Sequence, residues 1–546
     1  MAIVVHSVGR MKSALAATAV VSFAALLLFF DLGGKYLWQD EAATAVLARR
    51  LVRFGTPRAY DGVNLISLDH FAAEDEAEAA ARAGDPRAAV NYYISRGDLK
   101  ADTTWKWQPW GQFVVAGGSF LAFGESTWPA RFPFAMAGLA TVIVLFHLVW
   151  RESGDLSWAV LSATLLSCNG YWILHCRQCR YYSLTSLGLV LTLAGYIRWQ
   201  NGKRGGAASF VSAAWLWFQM DYGTIWPVLA ILFADACRVP PRQLWRPVLV
   251  GLLLGLSLAP FVFYYELWGR MSVATGTWAT RFARTVFDTN AFLVPLPVLA
   301  AAGWLSFSAK GERSRLPRLA VLCVAALQVW VPSVAPAAFF RYQVAIAPLA
   351  ALLTAWTALR LVERLFAGRR LRLWLAAAIT SAIALTPLLS APGAVLVPRS
   401  AWPVPTLGTP FRDDLVHMLS EVFGSRPDPN AVVISWLAQH ARPEDEILVN
   451  YEDVPLMFYL PNPVRGGIAA FRVTDDRRAA PRFAILRRSV SFVHWSVFRR
   501  ELARHDWVQV PLHAPDLPWG NNPDPGAQPT YYAPKVPDLL LLERRN

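Results

Sequence analysis

The sequence predicts a polytopic α-helical membrane protein that carries a soluble α/β domain at its C-terminal end. Three observations predict it. Hydrophobic residues make up 55% of the 546, and apolar runs recur at the length of about 20 residues that a helix needs to cross a bilayer core. Basic residues gather in alternate connections between those runs. Residues 397–546 break the pattern, because 17 basic and 17 acidic side chains balance there.

About eleven segments meet or approach span length: residues 11–32, 129–150, 156–174, 181–198, 207–220, 223–237, 247–266, 291–308, 319–335, 343–361 and 373–391. The fifth and sixth are interrupted at Asp221, Tyr222 and Gly223, where a re-entrant pair is the alternative. With the N-terminus cytoplasmic, the inner connections hold eighteen basic residues, among them Arg151, Arg238, Arg315 and Arg318, against five acidic ones. Nearly all of the net charge of +14 is therefore a topology signal. No basic patch remains for a polyanion, which excludes nucleic acid as a partner. Eleven spans place the C-terminal domain outside a plasma (inner) membrane, in a periplasmic or extracellular space. The first run is read as a retained helix rather than a cleaved leader, since no small-residue cleavage pattern precedes Gly33. This divides the chain into a transmembrane domain, residues 1–396, and an extracytoplasmic one, residues 397–546.

The outer regions are where chemistry is expected. Residues 33–127 form a long loop that opens with Asp40 and Glu41. Ala43, Val46, Leu47, Leu51 and Phe54 then fall at helical spacing opposite Arg49, Arg50 and Arg53, which predicts an amphipathic helix along the membrane surface. An acidic, alanine-rich stretch follows at 68–83, and Trp105 to Gly124 is apolar enough for a second surface or re-entrant helix. In the C-terminal domain, Asp428 and Pro429 have the form of an N-cap and first turn for a helix running to His440. Strands are expected at 446–450, 482–487, 507–511 and 538–543, with a helix near 496–504. Five cysteines do not make a disulfide framework, and the Cys176–Cys179 spacing on a helix reads as two small buried side chains. No P-loop, dinucleotide fingerprint or histidine ligand spacing is present.

Several short motifs, in order, resemble one known group. Trp38-Gln39-Asp40-Glu41-Ala42 with Gly55-Thr56-Pro57 resembles the first outer loop of the GT-C glycosyltransferases, which include protein O-mannosyltransferases and the lipid A aminoarabinose transferase. Trp107-Gln108-Pro109-Trp110, Phe123-Gly124-Glu125-Ser126 and Arg131-Phe132-Pro133 are similar to the second outer-loop helix and second span. His175-Cys176-Arg177-Gln178-Cys179-Arg180-Tyr181 resembles the outer end of the third and fourth spans. Phe340-Arg341-Tyr342 with Pro348 resembles a late Arg-Tyr element, and residues 443–449 the start of the outer soluble domain.

The resemblance implies transfer of a sugar from a polyprenyl-phosphate donor to a lipid, protein or glycan acceptor, amid membrane lipids. Displacing a lipid phosphate from an anomeric carbon needs a base for the incoming hydroxyl and cations for the leaving phosphate. By its match, Asp40 is the base, and Glu41 orients it or helps hold a divalent cation. Arg341 with Tyr342, Arg177 and Arg180 with Tyr181, and Lys106 are the donor-phosphate candidates, since a guanidinium fork suits phosphate. Asp40, Glu41 and Asp221 are the carboxylates for a divalent metal, the one cofactor the resemblance implies. Each has a plainer reading. Acids in a first helical turn favour the dipole, basic residues near span ends snorkel to headgroups, and an Asp at a tight turn caps it. Two departures stand out: Gln108, not a lysine, precedes Pro109, and arginines occupy the region where metal-binding members place an acid. A lipid-sugar transporter or flippase, or a noncatalytic glycan-binding protein, is the competing class; paired broken helices in two related halves would mark the transporter.

Overall fold

The computed structural model describes residues 2–66, 103–267, 277–308, 314–335, 338–366, 369–397, 410–424, 427–466, 480–487, 502–516 and 537–545. The acidic stretch at 68–83 and most of the helix expected near 496–504 lie outside these residues.

In chain order the helices begin with α1 (Ala2–Phe29), α2 (Gln39–Phe54), α3 (Gly111–Phe123), α4 (Thr127–Ser153), α5 (Leu156–Ser167), α6 (Gly170–Cys176) and α7 (Tyr182–Gln200). Next come α8 (Gly206–Met220), α9 (Ile225–Ala236), α10 (Trp245–Tyr264), α11 (Trp278–Asp288), α12 (Leu296–Ser308), α13 (Leu316–Val334), α14 (Ala347–Leu365), α15 (Arg369–Leu385), α16 (Ala391–Ala394) and α17 (Asp413–Phe423). The C-terminal elements are α18 (Pro429–His440), β1 (Ile447–Val449), α19 (Asp453–Tyr459), β2 (Val464–Gly466), β3 (Phe483–Leu486), β4 (Trp507–Val510) and β5 (Leu540–Arg544). They form two compact units. One comprises the described residues within 2–31 and 134–424; the other comprises those within 32–133 and 427–545.

The first unit is a bundle of apolar helices. Among the described residues, four helical segments are long and apolar enough to cross a membrane: Thr127–Ser153, Pro241–Tyr264, Leu316–Val334 and Phe340–Leu365. A fifth arises if Trp278–Leu293 and Leu296–Ser308, bent by 87°, count as one span, and five further apolar helices are shorter. The bend is built locally. Pro295 has no N–H to donate, and the Leu296 amide donates instead to Asn290 Oδ1 at 2.9 Å. The Asn290 Nδ2 donates to Ser390 O at 2.8 Å, and Ser390 Oγ donates back to Asn290 O. Helices α7 and α8 pack with small residues at their contact. A Cβ on Gly195 would stand 2.7 Å from the Phe210 amide nitrogen, the close approach that small residues permit between membrane helices. The interruption read at Asp221 is present as the turn between α8 and α9.

The second unit places α2, α3 and a small sheet in one body. The sheet order is β2-β1-β3-β5-β4, with β2, β1 and β3 parallel and β5 antiparallel to both β3 and β4. Buried Leu448 and Ala484 pack with Leu486, Leu502, Trp507 and Leu542. The four expected strands and the helix from Pro429 to His440 are found, and Asp428 Oδ1 accepts from the Asn430 and Ala431 amides as the N-cap. Strand β2 was not foreseen, because Val464-Arg465-Gly466 is too short to show a period. Helix α2 differs from the amphipathic surface helix that the sequence predicts. It packs against α3 and α19, and Arg50, read as part of the polar face, is buried. Its guanidinium donates to Asp61 Oδ2 at 2.6 Å and to the carbonyls of Arg58, Ala59 and Asn64.

Candidate active site

In the second unit the polar residues converge on the start of α2. Asp40 and Glu41 occupy its first turn. Glu41 is fully buried, and Arg131 meets it in a two-pronged pair: Nε donates to Oε1 at 2.8 Å and Nη2 to Oε2 at 2.7 Å. The same guanidinium donates to three carbonyls of the preceding segment, Leu32 at 3.1 Å, Lys35 at 2.8 Å and Tyr36 at 3.2 Å. One arginine thus anchors both the backbone that leads into α2 and its third residue. Planar guanidinium geometry allows all five donations at once.

The segment is held from its other side as well. The Tyr36 amide donates to Asp428 Oδ2 at 2.6 Å, the Leu37 amide to the Tyr459 hydroxyl at 2.9 Å, and Asn430 Nδ2 to Leu37 O. Tyr36 and Tyr459 stack with centroids 4.2 Å apart. Gln39 Nε2 donates to Asp453 Oδ1 at 2.8 Å, and Gln39 Oε1 accepts from the Val454 amide. Within the helix, the Thr44 hydroxyl reaches Gln112 Oε1 at 3.3 Å. Arg49 donates to the carbonyls of Met457 and Phe458 at 2.6 and 3.0 Å. Asp40 sits half-buried between Gln39 and Glu41, each of which has a fixed partner. Burial pushes the Asp428 carboxyl above the usual carboxylate range, and burial does the same to Glu452, which pairs with Arg487. Lys106 is buried in this unit too. The indole N–H groups of Trp38 and Trp105 are buried and have no acceptor among the described residues.

The first unit holds the remaining candidates. Tyr181 lies within electrostatic reach of Arg180, Asp221 and Tyr342. Arg341 lies over the ring of Phe339 at 4.2 Å and that of Tyr342 at 5.5 Å, and it acts electrostatically on His175. Arg180 lies 5.8 Å over Tyr181. Five candidates from three sequence regions therefore gather around α7 and the turn at 340–346. Arg177 is committed elsewhere: its Nη1 donates to Leu27 O and Leu28 O at 2.8 and 3.1 Å, and its Nη2 to Asp31 O. It closes the C-terminal carbonyls of α1, which a helix end leaves without partners. Asp221 accepts from the Gly223 amide at 2.7 Å and the Thr224 hydroxyl at 2.6 Å, the bonds of a self-capped turn.

For a metal, the donor chemistry is restrictive. Among the described residues no three His, Cys, Asp or Glu side chains come together to hold an ion. Both Glu41 oxygens already carry a guanidinium N–H, and the Asp221 oxygens serve its own turn.

The residue that sequence reasoning passed over is Arg131, read only as part of a motif. The signal was available, because a charged side chain inside an otherwise apolar run implies a buried partner.

The comparisons with known proteins agree with the architecture. No protein-family model matches the sequence, and no curated protein matches it. Among solved structures, ArnT from Cupriavidus metallidurans bound to undecaprenyl phosphate is similar over 96% of this chain and 97% of its own, with a TM-score of 0.57 at 14% identity. The apo form of the same protein matches over 98% of each chain with the same score. At that identity the likeness is one of fold. The chain shares the overall fold of that ArnT structure.

Proposed function

We propose that the protein is an inverting glycosyltransferase that moves a sugar from a polyprenyl-phosphate donor to an acceptor at the outer face of the membrane. The observation that carries this reading is the fixing of the Asp40-Glu41 turn in a chain that shares the overall fold of the ArnT structure. Arg131 and Asp428 hold the segment entering α2 from two sides, which suits a carboxylate whose position must be set for reaction.

In the proposed step the acceptor hydroxyl oxygen attacks the anomeric carbon, and the bond from that carbon to the phosphate oxygen breaks with inversion. The hydroxyl proton passes to Asp40, and polyprenyl phosphate leaves. Arg341 and Arg180, with Tyr342 and Tyr181, stabilise the charge growing on the phosphate, and Lys106 adds a further cation. Glu41 acts as a positioning residue through Arg131, and Arg177 positions α1. The buried indole N–H groups of Trp38 and Trp105 are donors for donor or acceptor oxygens. On this reading the chain crosses a plasma membrane about eleven times, with its N-terminus cytoplasmic and a boundary near residue 396 between the transmembrane and outer domains.

The test uses the purified full chain with a labelled polyprenyl-phosphate sugar and a panel of lipid, peptide and glycan acceptors. General-base assistance is worth about 10²- to 10⁴-fold, so Asp40→Asn should lower turnover by that factor while donor binding stays unchanged. Unchanged turnover would remove Asp40 from the reaction.

A further inference from the structure

We propose that the first unit carries a binding site for the phosphate headgroup of an anionic membrane lipid, built from Arg238, Arg315 and Arg318 around Asp235. The site is independent of the transferase reading. Asp235 lies in the last turn of α9 with its side chain 4% exposed, and the Tyr196 hydroxyl of α7 donates to its Oδ2 at 2.8 Å. Three guanidinium groups surround it. Arg238 just beyond α9 stands 3.6 Å away, Arg315 at the N-cap of α13 stands 3.8 Å away, and Arg318 in the first turn of α13 stands 3.5 Å away.

Two features separate this cluster from a structural ion pair. The first is charge: among the described residues, one carboxylate faces three guanidinium groups, which leaves an excess of two positive charges at one spot. The second is distance. Arg131–Glu41 and Arg412–Asp414, the two-pronged buried pairs, have contacts of 2.7–3.0 Å. Here each contact is at least 3.5 Å, and the Arg318 Nε is buried with no acceptor among the described residues. The donors point at a common centre without being used up by it. Arg238 and Arg315 are more than half exposed, so the centre opens outward.

Snorkelling of single arginines toward the interface does not bring three of them, from two helices, onto one carboxylate. A phosphodiester does what the carboxylate leaves undone, because its oxygens accept from several guanidinium forks and its charge offsets the excess. The cluster lies at the end of the span Leu316–Val334, where basic pockets between membrane helices meet lipid headgroups. A lipid phosphate is present there at high local concentration, and this selects it over a free anion.

The experiment follows thermal unfolding of the purified full chain in neutral detergent as lipid is added. Phosphatidylglycerol should raise the midpoint in a saturable way, whereas phosphatidylcholine with the same acyl chains should not. Each arginine removed should weaken the apparent affinity about fivefold, so R315Q/R318Q should weaken it roughly 25-fold. Asp235→Asn keeps an acceptor for Tyr196 but removes the competing charge, and it should bind phosphatidylglycerol more tightly than the wild-type chain. That arm decides the matter if the double variant does not fold: tighter binding supports the site, and weaker or unchanged binding overturns it. Equal effects of the two lipids, full affinity in R315Q/R318Q, or the same stabilisation by inorganic phosphate alone would each overturn the proposal.

Discussion

Two arginine–carboxylate clusters, one in each unit, use the same chemical groups in opposite proportions. Around Arg131 a single guanidinium serves one carboxylate and three carbonyls at 2.7–3.2 Å. Around Asp235 a single carboxylate is shared by three guanidinium groups at 3.5–3.8 Å. The first arrangement is closed: every donor is spent, Glu41 is fully buried, and the geometry fixes a backbone. The second is open, with excess charge and exposed side chains. Counting ion pairs would rank the second cluster above the first. Counting satisfied donors reverses the order, and that count separates a part that positions other parts from one that can still take a ligand.

The largest effect should come from breaking the closed cluster. Arg131→Met takes the guanidinium away from buried Glu41 and from three carbonyls, and removal of one member of a buried ion pair costs about 3–5 kcal/mol. Thermal and denaturant unfolding should show that loss, and transfer should disappear with it. Adding Glu41→Leu separates stability from activity. Replacing both members of a buried pair with apolar groups is often neutral or better, so the double variant should regain most of the lost stability. Its turnover should stay low, because the three carbonyls and the Asp40 turn remain without their anchor. A double variant with wild-type turnover would show that Arg131 does not position Asp40.

The next effect is one of pH. Burial raises the carboxyls of Asp428 and Glu452 above their ordinary values of 3.8 and 4.5. A raised acid in the folded state favours folding while it stays protonated. Its contribution is complete below the ordinary value and is lost as pH rises through the shifted one. Lowering the pH from 7 toward 5 should therefore raise the unfolding midpoint, and Asp428→Asn should flatten that part of the profile. A midpoint that falls over this range in the wild-type chain would contradict the assignment. The same carboxylate accepts from the Tyr36 amide, so the substitution should also speed hydrogen exchange at Tyr36.

Much of this was legible in the sequence where a short-range signal exists. Gly55, in the left-handed conformation at φ 75°, ends α2 just past Phe54, the last position of the predicted apolar spacing. Asp428 caps α18 as its Asp-Pro spacing implied, and four strands showed their alternation or apolar runs. The pairing of Arg131 with Glu41 spans 90 residues, and no local pattern encodes a contact of that separation. Arg50 was misplaced for a related reason: helical periodicity gives a face, but Asp61 and the carbonyls that bury that face come from a separate loop. The gathering of Arg180, Tyr181, Asp221 and Tyr342 follows from packing between α7 and the 340–346 turn, which composition does not report. The Asp235 cluster was read as topology signal alone, because its charges are ordinary until their convergence on one acid is seen.

The smallest effect should come from trimming the open cluster. Arg238 is 60% exposed and stands 3.6 Å from Asp235, and an exposed ion pair contributes about 0–1 kcal/mol. Arg238→Gln should therefore leave the unfolding midpoint within that margin in neutral detergent, far from the loss expected for Arg131→Met. If Arg238→Gln cost as much as breaking the closed pair, satisfied donors would not be what separates the two clusters. In phosphatidylglycerol the same substitution should show a larger deficit, because there the missing guanidinium would be missing from a headgroup rather than from a carboxylate that two other arginines still serve. A deficit of equal size in both media would mark Arg238 as a topology charge and nothing more.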